Sequence, residues 1–160
     1  MKNLKNSRFL VQSASIAAIY VTLTFFSSLM GLSSGIVQLR LSEALCVLPA
    51  FTPAAIPGLF VGCILANTMT GSIFIDIIFG SLATLVGAVF TRTLRRFKVL
   101  SLIPPILSNT LILPFVLKFA YNFEGSIFFF MATICCGEIL SCGVLGYILR
   151  TVLDRYNNFF

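Results

Sequence analysis

The chain has 160 residues, of which 58% are hydrophobic and 10% charged, with 11 Lys and Arg against 5 Asp and Glu, and no His. Its mean hydropathy is +1.03. A soluble domain is near a quarter charged, and a globule this small lacks the interior to hide so many Phe, Leu and Ile side chains. The composition excludes a soluble enzyme and a nucleic-acid-binding module, and predicts one integral membrane domain over residues 1–160.

Met1 to Arg8 carries three cations, Lys2, Lys5 and Arg8, ahead of an apolar stretch from Phe9 to about Met30. That stretch has about the 20 residues needed to span a bilayer, and the chain beyond it is also membranous, so it reads as a first transmembrane helix and not a signal peptide. Further apolar blocks are Leu41–Ala50, Thr52–Met69, Ser72–Phe90, Leu102–Tyr121 and Ser126–Leu153. The last four are long enough to span; Leu41–Ala50 is short and is bounded by Pro49, Pro53 and Pro57, which break helices.

Charge bears on the count that length leaves open. Cytoplasmic flanks are enriched in Lys and Arg. With the N-terminal cluster and Arg92, Arg95, Arg96 and Lys98 both inside, an even number of crossings must lie between them, so Leu41–Met69 contributes two or none. Two crossings give an all-α bundle of six transmembrane helices with a short second helix and both termini cytoplasmic. Arg150 and Arg155 then also fall inside, leaving only Arg40 and Lys118 of the 11 cations outside. The competing arrangement is a re-entrant hairpin and four crossings.

Three of the acidic residues, Glu43, Asp76 and Glu138, lie at or within apolar blocks; Glu124 falls in an outer loop and Asp154 in the C-terminal tail, where solvated charges need no explanation. A charge at membrane depth costs at least about 2.5–3.5 kcal/mol, so such residues face a protein interior or a wet cavity. Gly80, Ala83, Thr84 and Gly87 share the helix face of Asp76, while Ile78, Leu82, Leu85 and Val89 fall elsewhere. Glu138 shares its face with Cys135, Ser141 and Cys142. Asn67 and Asn109 are carboxamides inside long apolar blocks, and Arg40 stands three residues before Glu43. Asp76 and Glu138 together favour a polar site over plain interhelical hydrogen bonding; for Asn67 alone the two readings weigh equally.

Three pairs of small residues, Ala14/Ala18, Gly58/Gly62 and Ala83/Gly87, have the spacing that lets helices approach closely. Internal packing is the better reading for the last two. Cys46, Cys63, Cys135, Cys136 and Cys142 all lie in apolar blocks without His or a C-x-x-C pair, so they read as small hydrophobes and no metal site is expected. The chain has no phosphate-binding G-x-x-x-x-G-K-[ST] loop and no obvious inverted repeat. Uphill transport would therefore draw its energy from a partner or an ion gradient.

The stretch Val37-Gln38-Leu39-Arg40-Leu41-Ser42-Glu43-Ala44-Leu45, followed by Leu48-Pro49 and Thr52-Pro53-Ala54-Ala55-Ile56-Pro57-Gly58, resembles the QueT family of queuosine-precursor transporters. So does Asp76-Ile77-Ile78-Phe79-Gly80-Ser81-Leu82-Ala83-Thr84-Leu85. The resemblance covers nearly the whole chain. It implies a six-helix substrate-binding S component of an energy-coupling factor (ECF) transporter, which takes up a scarce nutrient from outside, joins a membrane scaffold subunit and two cytoplasmic ATPases, and topples to deliver its ligand. The chain itself would bind no cofactor; its partners would use ATP. The expected ligand is a 7-deazaguanine base, in the aminomethyl or cyano form, or queuine.

A guanine-like edge offers two adjacent N–H donors that a carboxylate accepts bidentately, and an aminomethyl cation would suit a second carboxylate. On this resemblance Glu43, Asp76 and Glu138 are candidate acceptors, and Asn67, Asn109 and Arg40 supply the remaining contacts. Ala14 and Ala18 match the motif by which the first helix meets the scaffold, and Gly31–Gln38 is a candidate lid. Cys46 stands where the family is expected to carry Thr; a contact from that side chain to ligand would alter the preferred base. Arg40 and Glu43 also have an alternative role as a loop latch. The rival functions are an S component for another vitamin-like nutrient, a non-transporting membrane assembly protein, and an intramembrane enzyme.

Overall fold

The computed structural model describes residues 2–32, 39–122 and 125–157, and every regular element among them is helical. Helix α1 covers Lys2–Leu29. A 3-10 helix follows over Leu41–Ala50, then α2 over Ala55–Met69 and α3 over Phe74–Thr93. A single 3-10 turn, Leu100–Leu102, leads into α4, Ile103–Phe119. Helix α5, Ile127–Glu138, runs on through a π-helical stretch, Ile139–Leu145, into α6, Gly146–Asn157.

Taken as continuous segments these are the six helical elements anticipated from the sequence, with the short one second. Four segments are long and apolar enough to cross a membrane: Asn6–Leu29, Phe74–Thr93, Leu100–Phe119 and Ile127–Tyr156. The chain is a multi-pass membrane protein. The 3-10 helix, at about 2.0 Å per residue, and α2, at about 1.5 Å, are each roughly 20 Å long, short of the ~30 Å hydrocarbon core.

Successive helices are neighbours, α1 on α2, α2 on α3, α3 on α4 and α4 on α5. The 3-10 helix lies among them, touching α1, α2, α3, the π stretch and α6. Ten residues is long for a 3-10 helix, in which runs beyond three or four are uncommon. Its three-residue turn stacks Glu43, Cys46 and Pro49 in one row, and all three are buried. The expectation of a short second helix holds, in a tighter form than the α-helix.

The ends of α1 and α2 are closed in the same way. Gly31 (φ 71°) and Gly71 (φ 74°) take the left-handed conformation that ends many helices. Leu32 N–H then donates to Ser27 O and Ser72 N–H to Asn67 O, each at 3.0 Å. The second closure is a tight reversal into α3, and it places Asn67 close to Asp76 in the first turn of α3.

The face reading for α3 is borne out. Asp76, Gly80, Ala83, Thr84 and Gly87 are buried, whereas Ile78, Leu82 and Val89 are exposed and Leu85 is half-buried. Gly58 and Gly62 seat α2 against α1: an added Cβ would lie 2.7 Å from Ser13 O at Gly58, and 3.1 Å from Ala17 Cα at Gly62. Gly87 does the same for α3 on α4, with Pro105 Cα at 2.7 Å. Ala14 and Ala18 lie on the exposed side of α1, away from α2.

Two cations behave differently from the flanking charges expected of them. Arg92 Nη1 donates to Pro49 O at 3.1 Å and Ala50 O at 3.2 Å, closing the end of the 3-10 helix. Arg150 is buried; it donates to Arg95 O, Phe97 O, Lys98 O and Ser101 Oγ, and stands over the Phe51 ring. Asp154 is not a free tail charge either, since it pairs with Lys98 at 2.9 Å. Glu124 and residues 33–38 of the anticipated lid lie outside the described residues.

Candidate ligand-binding site

The 3-10 helix carries Glu43 into the bundle at 2% exposure, where α4 presents Asn109 and the end of α5 presents Glu138. Asn109 uses its side-chain N–H groups on both carboxylates, donating to Glu138 Oε1 at 2.8 Å and Glu43 Oε2 at 3.3 Å. The bridge fixes the amide, leaving Asn109 Oδ1 as an acceptor. Glu43 Oε2 also accepts from Cys46 Sγ at 3.2 Å, a contact set by the i, i+3 stacking of the 3-10 helix. Glu43 Oε1 accepts from Tyr20 OH at 2.7 Å. Glu138 Oε2 is buried and has no hydrogen-bond partner among the described residues.

A buried carboxylate oxygen without a partner among the described residues is costly. Glu138 is one of the residues lining a cavity, with Arg40, Glu43, Cys63, Gly80, Thr84, Asn109, Leu113 and Ile134. Thr84 Oγ1 is already committed to Gly80 O at 3.0 Å and Cys63 Sγ at 3.5 Å. The cavity lining therefore combines the acceptors of Glu43, Asn109 and Glu138 with one strong donor, Arg40. The centre of a water-sized sphere can move through about 10 Å³ of it, room for roughly one water.

Arg40, half-buried at the start of the 3-10 helix, donates to Asn67 Oδ1 at 3.4 Å, near the outer limit of a hydrogen bond. It makes no ion pair with Glu43; among the described residues the one ion pair is Lys98–Asp154. The loop-latch reading of Arg40 and Glu43 is thus corrected: the Glu43 carboxylate turns inward to Tyr20, Cys46 and Asn109 instead. Asn67 Nδ2 donates to Cys63 Sγ at 3.5 Å.

Asp76 and Asn67 do not line the cavity. Asp76 Oδ2 accepts from Tyr121 OH at 3.0 Å, and Tyr121 OH accepts in turn from Ile73 N–H at 3.3 Å. Gly80 separates the two layers: a Cβ there would sit 3.2 Å from Asn67 Nδ2 and 3.6 Å from Asp76 Oδ1. The candidates therefore divide into a floor of Glu43, Asn109 and Glu138, and a rim of Arg40, Asn67 and Asp76. Among the described residues no cluster of Cys, Asp and Glu could hold a metal.

Tyr20 and Cys63 are the side chains at the site that sequence reasoning passes over, while Cys46, singled out as a departure from the family, touches Glu43. The thiols do more than fill space, since Cys46 donates to Glu43 and Cys63 accepts from Asn67 and Thr84. For Tyr20 a signal existed: Tyr20, Thr24 and Ser27 recur at i, i+4 and i+7 on an otherwise apolar helix, a polar stripe facing inward.

The family model of the QueT transporter matches residues 10–155. The chain belongs to the QueT transporter family. Among curated proteins it is similar to the queuosine precursor transporter QueT of Lactococcus lactis subsp. cremoris (strain MG1363), at 36% identity over 77 residues. That alignment takes in 48% of this chain and 45% of the relative, so the chain spans less than half the length of the relative it matches. No solved structure matches the chain. Membership in a transporter family accords with the many large apolar side chains that face outward on every long helix.

Proposed function

We propose that this QueT-family protein is the substrate-binding S component of an ECF importer and binds a queuosine precursor, a 7-deazaguanine base, at the Glu43–Asn109–Glu138 floor. The observation that carries this reading is the polarity of the cavity. Asn109 joins the Glu43 and Glu138 carboxylates, Glu138 Oε2 has no partner among the described residues, and Arg40 is the strong donor in the same lining. A guanine-like base has the complementary pattern, with adjacent N–H donors on one edge and a carbonyl acceptor next to them.

Two carboxylates in a low-dielectric bundle with one nearby guanidinium also suit a cationic ligand, which favours the aminomethyl form over the cyano form. A base is far larger than one water, so it enters by displacing side chains. The long Arg40–Asn67 contact is a weak tie at the rim.

In this reading a scaffold subunit docks on the exposed Ala14/Ala18 side of α1 and two cytoplasmic ATPases supply the energy. Both termini lie in the cytoplasm; Arg92, Arg95, Arg96, Lys98, Arg150 and Arg155 gather at one end of the bundle, as cytoplasmic flanks do. Reporter fusions at the two ends should read the same side, and opposite sides would remove this topology.

The direct test is isothermal titration of the purified protein with the aminomethyl and cyano bases and queuine, with guanine as control. Sub-micromolar binding of one of the three is the expected result. No heat with any of them would overturn the deazaguanine assignment.

A further inference from the structure

The first turn of the 3-10 helix is held by three side chains of α1. Tyr20 OH donates to Glu43 Oε1 at 2.7 Å, Thr24 Oγ1 to Ser42 Oγ at 2.8 Å, and Leu41 N–H to Ser27 Oγ at 3.0 Å. Residues one helical turn apart on α1 thus meet consecutive residues of the 3-10 helix in antiparallel order. Only the first of these contacts reaches a side chain of the site.

From this geometry we infer that Tyr20 is a positioning residue for ligand recognition, fixing the plane of the Glu43 carboxylate so that Oε2 faces the cavity floor. The inference rests on the base-binding reading above. The last torsion of a Glu side chain is soft and roughly two-fold, so a carboxylate held from one side only turns readily. Glu43 Oε2 has a thiol, which is a weak donor, and a long 3.3 Å amide contact. The short phenol bond to Oε1 is therefore the strongest restraint on its orientation.

Tyr20 is itself well fixed. It is 1% exposed, and its Cβ packs against the bare α-carbon of Gly62, where an added Cβ would come within 3.0 Å. A carboxylate held in plane presents its free lone pairs to an entering donor edge without first losing rotational freedom, which is how preorganisation raises affinity.

The test uses Tyr20→Phe, which keeps the ring beside Gly62 and removes only the hydroxyl, with Thr24→Val as a control that removes the neighbouring contact. Two measurements are made on the purified full chain. Infrared difference spectra follow the carboxylate stretch assigned to Glu43 by its loss in Glu43→Gln. Titrations compare the aminomethyl deazaguanine base with its analogue lacking the 2-amino group.

In Tyr20→Phe the Glu43 band should shift, affinity for the full base should fall about 10- to 100-fold, the range for a hydrogen bond to a charged group, and most of the preference for the 2-amino group should disappear. Thr24→Val should leave band and preference in place. An unmoved Glu43 band, or an equal loss for both ligands with the preference intact, would overturn the inference. Should the wild-type protein bind neither base, the base-binding reading fails, and the infrared arm alone decides whether Tyr20 holds Glu43.

Discussion

Burying Glu43, Asn109 and Glu138 together sets a desolvation cost that their mutual hydrogen bonds offset only in part, because Glu138 Oε2 is left over. Arg150 is the opposite case, a buried cation at 4% exposure whose donors go largely to main-chain carbonyls of Arg95, Phe97 and Lys98 in the loop after α3. Loop carbonyls have no ladder partner of their own, so a buried guanidinium that donates to several of them satisfies them together. Arg150→Met should cost about 2–4 kcal/mol, since those carbonyls lose a charged donor at once. A thermal melt in detergent checks this; an unchanged midpoint would mean that water replaces the arginine without loss. Arg150 reads from the sequence as a cytoplasmic flank because nothing in the local pattern shows that the Arg95–Ser101 loop folds back over it.

Among the elements, α3 is the most legible. Its small and polar residues recur at helical spacing on one face and its bulky ones on others, and burial follows that division. The 3-10 helix is half legible: its length and prolines mark a short helix, but the tighter winding that stacks Glu43 on Cys46 depends on the neighbours around it. The polar stripe marks the face of Tyr20 but not its partner, which is 23 residues away on another element.

The glycine contacts between elements give a paired prediction. Gly58→Ala places a Cβ 2.7 Å from a backbone oxygen of α1, whereas Gly143→Ala meets nothing closer than 3.7 Å. The first should destabilise the protein by about 1–3 kcal/mol, and the second by less than about 1 kcal/mol. Comparing their melting midpoints with the wild type checks the α1–α2 seam. Equal midpoints for the two variants would show that α1 shifts freely on α2.

At the scale of the whole molecule, long helices with outward-facing Phe, Leu, Ile and Val pack in succession, and a short, largely buried 3-10 helix against α1, α2, α3 and α6 carries half of the carboxylate pair. Composition and charge place the chain in the membrane, and apolar block lengths set the element count. They cannot tell that Asp76 belongs to the rim with Tyr121 while Glu138 belongs to the floor, since both are lone carboxylates on small-residue faces.

That division gives the account its sharpest consequence. Glu138→Gln keeps the shape of the side chain and replaces its carboxylate with a neutral amide. The titration to make first is the aminomethyl base against wild-type protein and Glu138→Gln, with melting midpoints measured alongside. The account predicts tight wild-type binding, at least a 100-fold weaker Glu138→Gln, consistent with about 3 kcal/mol for a buried charged hydrogen bond, and a midpoint that does not fall. Undiminished affinity in Glu138→Gln would contradict it, because the unpartnered oxygen at the floor would then have no part in holding the ligand.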